Sequence, residues 1–434
     1  MTGPSPGRDP GRIPGPISGP IPGTLPGTIP GSVETRTSWI VACVALAVLT
    51  MSYGAPLVTV VALKPIAAEF ETTRSAPALA ISLTYIGAGL GGIAMGWLAE
   101  RIGIRVVVMG CGSMIGAGLL ISSFGGLWQL YACNLLLVGL LGAAGMFAPL
   151  MTYVSRWFDH RRGSAVALIS SGQYVAGAVW PSVFQFGIDE AGWRWTMFGF
   201  GLLTVLVIVP LAAIFLHPPP APPPEGSMYA GPAVGRRVLG LPANAVMWIL
   251  AGAVFCCCVT MSMPLAHMVA FCSDIGIKPA HGAIMLSVLL GSAFISRQFW
   301  GWLADRMGGL KTVLFASTGQ AVAMAGFLMT QDEVGLFAIS AAFGLGFGGL
   351  IPGYVLAIRD LFPASEASWR IPVVLFPGSL GMAAGGWLAG AMYDVYGFYG
   401  PAFAAGVLFN LFNLLLIGAL VIRHRAARLA PVPG

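Results

Sequence analysis

One arginine stands where an apolar helix would be expected. Arg297 lies inside 280–303, an apolar run about six residues from its end. An arginine at the centre of a membrane helix costs ~2.5–3.5 kcal/mol on insertion scales. That cost calls for a partner, and no Asp or Glu lies clearly within any apolar segment of the chain. A guanidinium fork can hold a carboxylate through two parallel hydrogen bonds. One reading therefore makes the partner a substrate's carboxylate. The other has the side chain snorkel to nearby water. Tyr53, in the first apolar segment, could donate a phenol hydrogen bond to the same anion. Gln173, Tyr174 and Asn134 are further candidates, although such residues commonly join helices to one another in membranes. His267 follows Pro264 near one end of its segment. It could titrate near neutral pH and sense protons, or it could be a simple interfacial histidine.

Other chemistries find no support. Ser, His and Asp are not grouped as a triad, no GxxxxGK[ST] phosphate loop occurs, and no two carboxylates share a face. The seven cysteines lie in apolar runs without CxxC or His/Cys spacing, so they are expected to be reduced and packed. No enzyme, metal or cofactor is expected. Without a nucleotide site, any transport must run on a gradient or an exchanged solute.

Composition says what surrounds these residues. The 434 residues are 57% hydrophobic and 9% charged, against about 25% charged in a soluble domain. The solvent must be largely lipid. Sixty glycines suit closely packed membrane helices. Residues 1–38 are rich in Pro and Gly, have nothing to bury, and are expected to be a disordered tail.

Twelve apolar segments follow, each near the ~20 residues that cross a bilayer. They span about 39–63, 76–99, 106–124, 127–153, 163–187, 194–216, 245–271, 280–303, 311–330, 334–358, 370–393 and 398–422. The Pro-rich linker 217–244 divides them into bundles 39–216 and 245–422, with a short tail at 423–434. With both termini on one side, that side collects seventeen Lys and Arg, and the other collects four. The positive-inside rule then makes both termini cytoplasmic, and the plasma (inner) membrane is the expected location.

The halves echo each other. GWLAERIG at 96–103 returns as GWLADRMG at 301–308, an offset of 205, and Gly192-Trp193 returns as Gly397-Phe398 at the same offset. Such copies are parallel repeats about an axis along the membrane normal. The turns bear Gly96, Glu100, Arg101, Gly103 and Arg105 in one half, and Gly301, Asp305, Arg306 and Gly308 in the other. They are expected to act as a cytoplasmic latch, charges at helix ends pairing with neighbouring loops and helix dipoles. The plainer reading is that they only mark the inner helix ends.

The twelve segments, the central linker and the paired turns resemble the major facilitator superfamily over about 39–422. Within it the chain resembles the branch of monocarboxylate transporters and oxalate–formate exchangers. That likeness is carried by Tyr53-Gly-Ala-Pro56, Lys64-Pro-Ile-Ala-Ala-Glu69-Phe70, the 156–163 turn RWFDHRRG, Gly192-Trp-Arg194, Arg297 with Gly301, and Tyr393-Asp394-x-x-Gly397. The resemblance implies an all-α membrane protein of two six-helix bundles that rock about a central site. It also raises the ligand role for Arg297 and the latch role for the turns. The chain departs from the pattern at Ala293, where animal proton-coupled members carry an aspartate, and at Leu57, where they carry a lysine. It also lacks the second cation of the oxalate–formate exchanger. One buried cation suits one carboxylate.

These residues predict a secondary transporter of small organic monocarboxylate anions, by proton coupling or exchange. A multidrug exporter of the same fold would be expected to show a membrane acid. A transporter-like sensor would need a signalling domain, for which neither the tail nor the linker is long enough. The partners expected are a small organic anion, a proton in the symport case, and lipid, with no nucleic acid. The sequence carries no sign of an oligomer.

Overall fold

The computed structural model describes residues 34–158, 161–217 and 237–429. Residues 1–33 of the tail and 218–236 of the linker, on which two expectations above fall, lie outside them. The described chain is almost wholly helical.

The first half contains α1 (Arg36–Val61), α2 (Ser75–Ile102), α3 (Ile104–Phe124) and α4 (Leu127–Ser155). A continuous helical run, Ser164–Phe215, follows. It is 52 residues long, about 78 Å at 1.5 Å per residue and more than twice a ~30 Å hydrocarbon core. It is not one rod. Gly192 breaks it at φ 82°, ψ 164°, and the arms fold back on each other. Phe184 packs on Phe200 with ring centroids 4.8 Å apart, and a Cβ on Gly187 would lie 2.9 Å from Thr196 Oγ1. The arms 164–191 and 193–215 are α5 and α6.

A two-rung hairpin pairs Arg237 with Pro242 and Val238 with Leu241. The second half then runs α7 (Ala243–Asp274), α8 (Pro279–Met307), α9 (Gly309–Met329), α10 (Glu333–Leu361), α11 (Ala364–Tyr396) and α12 (Gly400–Leu429). Among the described residues, ten helical stretches are long and apolar enough to cross a membrane. Dividing the long run adds one, and α2, bent by 52° between Gly92 and Ala94, adds another. The chain is a multi-pass membrane protein.

The helices overrun the expected segments because their charged ends stay helical. α1 starts at Arg36, capped by Thr35 and Ser38 in a reciprocal box, so helix begins inside the stretch expected to be tail. α4 is irregular, with a wide-turned segment at Cys133–Leu140 followed by a tight turn at Ala143–Gly145.

The 205-residue repeat extends to backbone geometry. Gly103 and Gly308 both adopt positive φ (86° and 82°), and each is followed at once by the next helix. Gly192 and Gly397 share only the positive φ, 82° and 79°, and differ in ψ, 164° against 0°. Arg101 stacks on Trp97 and Arg306 on Trp302, each at 4.0 Å. Gly139 lies where a Cβ would meet Thr84 O at 2.7 Å, and its repeat mate Gly344 would meet Leu289 O at 2.0 Å. In each half, then, the fourth helix touches the backbone of the second. The mate of Arg297 is Gly92, where an added Cβ would find nothing within 4 Å.

These contacts separate glycines that pack from glycines that do not. Gly344→Leu must push α10 off α8 and is expected to cost about 1–3 kcal/mol or more, read as a fall of several degrees in the melting temperature in detergent. Gly301→Leu faces open space and should melt like the parent. Any transport defect in the second variant would then reflect the turn's role in the cycle rather than folding.

Candidate functional site

Between the halves lies a cavity of about 40 Å³. That is room for about three ordered waters, or one small acid in their place. α1 contributes Tyr53 and Leu57, α2 contributes Tyr85, α5 contributes Gln173, α7 contributes Ser262, and α11 contributes Gly386. The remaining walls are aliphatic. Neither phenol hydroxyl, Tyr53 nor Tyr85, hydrogen-bonds to protein among the described residues, so both remain free to donate into the cavity.

Arg297 lies beside this cavity rather than in its wall. Leu290 of the same helix lines it, and seven residues along α8 is about 10 Å. The Arg297 backbone is therefore displaced toward the face that carries the paired turns, with its side chain free to reach back. It is half-buried. One N–H donates to Ser170 O of the other half at 3.2 Å, and the guanidinium carbon lies 5.2 Å from the Tyr174 ring centroid. No carboxylate pairs with it among the described residues. An arginine has five N–H donors, so most of the fork stays available.

The other expected site residues separate. Tyr53 and Gln173 line the cavity. Tyr174 is buried and donates to Gly348 O across the halves at 3.4 Å. Asn134 is elsewhere. Its amide accepts from Thr84 Oγ1 at 2.9 Å and donates to Leu130 O at 2.9 Å. The oxygen joins α2 to α4, the commoner use of such a residue, while the NH2 bonds back within α4, and Asn134 does not line the cavity. Tyr85 is the residue that sequence reading passed over. It stands four after the lining residue Ile81, on the same helix face, and that spacing was its only signal.

His267 is fully buried rather than interfacial. Nε2 lies 2.8 Å from Gly386 O, whose residue lines the cavity, and Nδ1 lies 3.0 Å from the Tyr399 hydroxyl.

Among the described side chains, the paired turns do not bridge the halves. Arg101 and Arg306 rest on tryptophans of their own helices. Glu100 and Arg105 are exposed and make no ion pair among the described residues. The Asp305 side chain lies outside what the structure describes. The N-terminus of α9, just after Gly308, is capped instead by Asp360, which accepts from Gly309 N at 2.8 Å. Arg370, in the first turns of α11, is buried. It pairs with Glu366 at 2.9 Å and donates to Asn244 at 3.1 Å.

Every ion pair between halves among the described residues lies at the opposite face. Asp274, at the end of α7, binds Lys64 at 3.0 Å and takes both terminal nitrogens of Arg74. Asp394 of α11 accepts from Arg74 N at 2.8 Å and Ser75 N at 2.9 Å, capping the α2 N-terminus from the other half. Arg74 also lies 3.9 Å above the Tyr393 ring and donates to the Tyr399 hydroxyl at 3.1 Å. Burial works against this cation, but its bonds to Asp274 and Tyr399 outweigh that and hold its pKa above the ordinary value. Within the first half, Glu69 binds Arg194 at 2.7 Å and Trp193 Nε1 at 2.5 Å. This face is sealed, and the motif residues of both halves do the sealing.

Known proteins share this organisation. The family model of the Major Facilitator Superfamily matches residues 39–367 and 248–434. "Monocarboxylate transporter 13" of Bos taurus is 27% identical over 320 residues, covering 72% of this chain and 73% of that protein. "Monocarboxylate transporter 11" of Mus musculus is 29% identical over 390 residues, covering 84% and 83%. A crystal structure of a bacterial homolog to the human lysosomal transporter Spinster, inward-facing and unoccupied, superposes with a TM-score of 0.70 at 16% identity. That match covers 92% of this chain and 99% of the other. The chain belongs to the Major Facilitator Superfamily, in its monocarboxylate transporter-like branch.

Proposed function

We propose that the protein is a secondary transporter of small organic monocarboxylate anions, working by alternating access in the plasma membrane with both termini cytoplasmic. The observation that carries this is Arg297, a cation without a carboxylate partner at the junction of the halves, beside a small cavity that offers two free phenols. The arginine fork takes the carboxylate, Tyr53 and Tyr85 donate to it, Gln173 adds an amide, and Leu57, Leu290 and Met382 cover the short hydrocarbon part. A cavity of about 40 Å³ favours acids of a few heavy atoms over bulky drugs. On this reading the sealed face is the outer one, and the structure is the inward-open stage of the cycle. Arg101 and Arg306 are then in their released positions, and the latch forms when the inner side closes.

Uptake of labelled lactate, pyruvate and formate into proteoliposomes tests the proposal. Saturable uptake of at least one, competed by the others, is expected. No saturable uptake of any would sink it. Collapsing the proton gradient with an ionophore then separates symport from exchange.

A further inference from the structure

His267 joins two things that a coupled carrier must join. Through Nε2 it touches Gly386, a wall residue of the central cavity, and through Nδ1 it touches Tyr399, which receives Arg74 of the sealed gate. The hydrogen-bond inventory fixes the proton positions. A carbonyl can only accept, so Nε2 carries the hydrogen, and in the neutral ring Nδ1 is the acceptor. Tyr399 must then donate its one proton to Nδ1 while its oxygen accepts from Arg74 Nη1. Burial pushes the Tyr399 phenol up, against the lowering effect of Arg74, so it remains a donor throughout the physiological range. Every atom of the chain Gly386–His267–Tyr399–Arg74 is satisfied in one arrangement only, and that arrangement requires a neutral histidine.

We propose that His267 Nδ1 is the proton-binding site of this carrier, and that filling it releases the Arg74 clamp between the halves. A proton taken from water can enter only at Nδ1. The new N–H faces the tyrosine oxygen, so the tyrosine loses the acceptor for its own proton. A second positive charge also stands one oxygen atom away from Arg74, in a largely buried site, where like charges repel more strongly than in open water. The groups facing the ring are Tyr399 at the start of α12, Arg74 at the start of α2, Tyr393 and Asp394 on α11, and Asp274 on its own helix. Of these, Asp274 and Asp394 oppose the added charge, but both are already engaged by Arg74, Lys64 and the α2 N-terminus. The least costly response is withdrawal of Arg74 and parting of the halves at this face. An acidic medium would thus open the gate through which the proton arrived, which couples proton and cargo without any membrane carboxylate.

The inference deepens the transport cycle proposed above, yet its test needs no cargo, so its failure and that of the monocarboxylate reading are separable. Spin labels carried on unnatural residues at Glu71 and Val395, both exposed and on opposite halves at this face, report the gap in full-length protein in lipid nanodiscs. The parent should show the short distance at pH 8 and a long component rising about tenfold by pH 5, within the range of ordinary allosteric coupling. His267→Gln keeps a donor for Gly386 and an acceptor for Tyr399 but cannot take the proton, so it should stay short at both pH values. Tyr399→Phe should lose the pH step with His267 still in place. A flat response in the parent overturns the proposal. So does an unchanged step in His267→Gln, as does a step that survives in His267→Gln but vanishes in Asp394→Asn, which would place the sensor on the carboxylate.

Discussion

Arg297→Ala is expected to reduce saturable carboxylate uptake about 100-fold or more while leaving the protein folded. The carboxylate would lose two charge-assisted hydrogen bonds, each worth about 1.5–3 kcal/mol, and even the lower sum of about 3 kcal/mol is more than a hundredfold in affinity. The protein itself loses little, since the side chain is half-buried and makes one backbone bond, to Ser170 O at 3.2 Å. Melting temperature should stay within a few degrees of the parent. Arg297→Lys is the informative companion. It keeps the charge and loses the fork, so it should fall between parent and alanine, with the change mainly in the half-saturating concentration. Should the arginine only snorkel to water, both variants would carry substrate at the parent's rate, and uptake kinetics in proteoliposomes would show it.

The second large effect is expected at the gate. Asp274→Asn removes the one carboxylate that binds both Lys64 and Arg74. Arg74 is the more consequential partner, its side chain only 14% exposed. Stripping the partner from a fully buried charge costs about 3–5 kcal/mol. Asp274 is 18% exposed and an asparagine can still accept one bond, so about 2 kcal/mol is the better figure. That shifts the balance between closed and open gate about 30-fold. A cysteine placed at Leu57, in the cavity wall, should then react about 30-fold faster with an impermeant maleimide added at the sealed face. Unchanged reactivity would mean that packing, not this cluster, holds the face shut.

Much of the fold can be read from the chain because its signals are local. Gly103, Gly192, Gly308 and Gly397 all take positive φ, a conformation glycine adopts without a Cβ penalty, so a repeated glycine beside a repeated arginine or aromatic marks the same corner twice. The irregular course of α4 was not legible. Gly139 packs on the Thr84 carbonyl there, but so does its mate Gly344 on Leu289 O inside a regular helix, and nothing local announces the difference. The gate was missed for the same reason. Lys64 and Asp274 stand 210 residues apart, each an ordinary charge at a helix end. Sequence reading therefore sought the ionic contacts at the conspicuous turns, where the structure places arginines on their own tryptophans. Within the site, polar residue types alone could not separate Asn134, spent on joining helices, from Tyr85, left free in the cavity.

The pairing of Arg297 with an empty Gly92 bears on which body carries the load. In a twofold device with equal grips, cargo could pass from hand to hand at mid-stroke. Here one hand carries the charge and the other only the neutral donors Tyr53, Tyr85 and Gln173. An anion held by Arg297 rides as a passenger on the second half throughout, and the first half is the wall that slides past it. The stroke is then a door moving around a charged seat, and substitutions in the first half outside Tyr53, Tyr85 and Gln173 should alter how fast the door swings more than how firmly the seat holds.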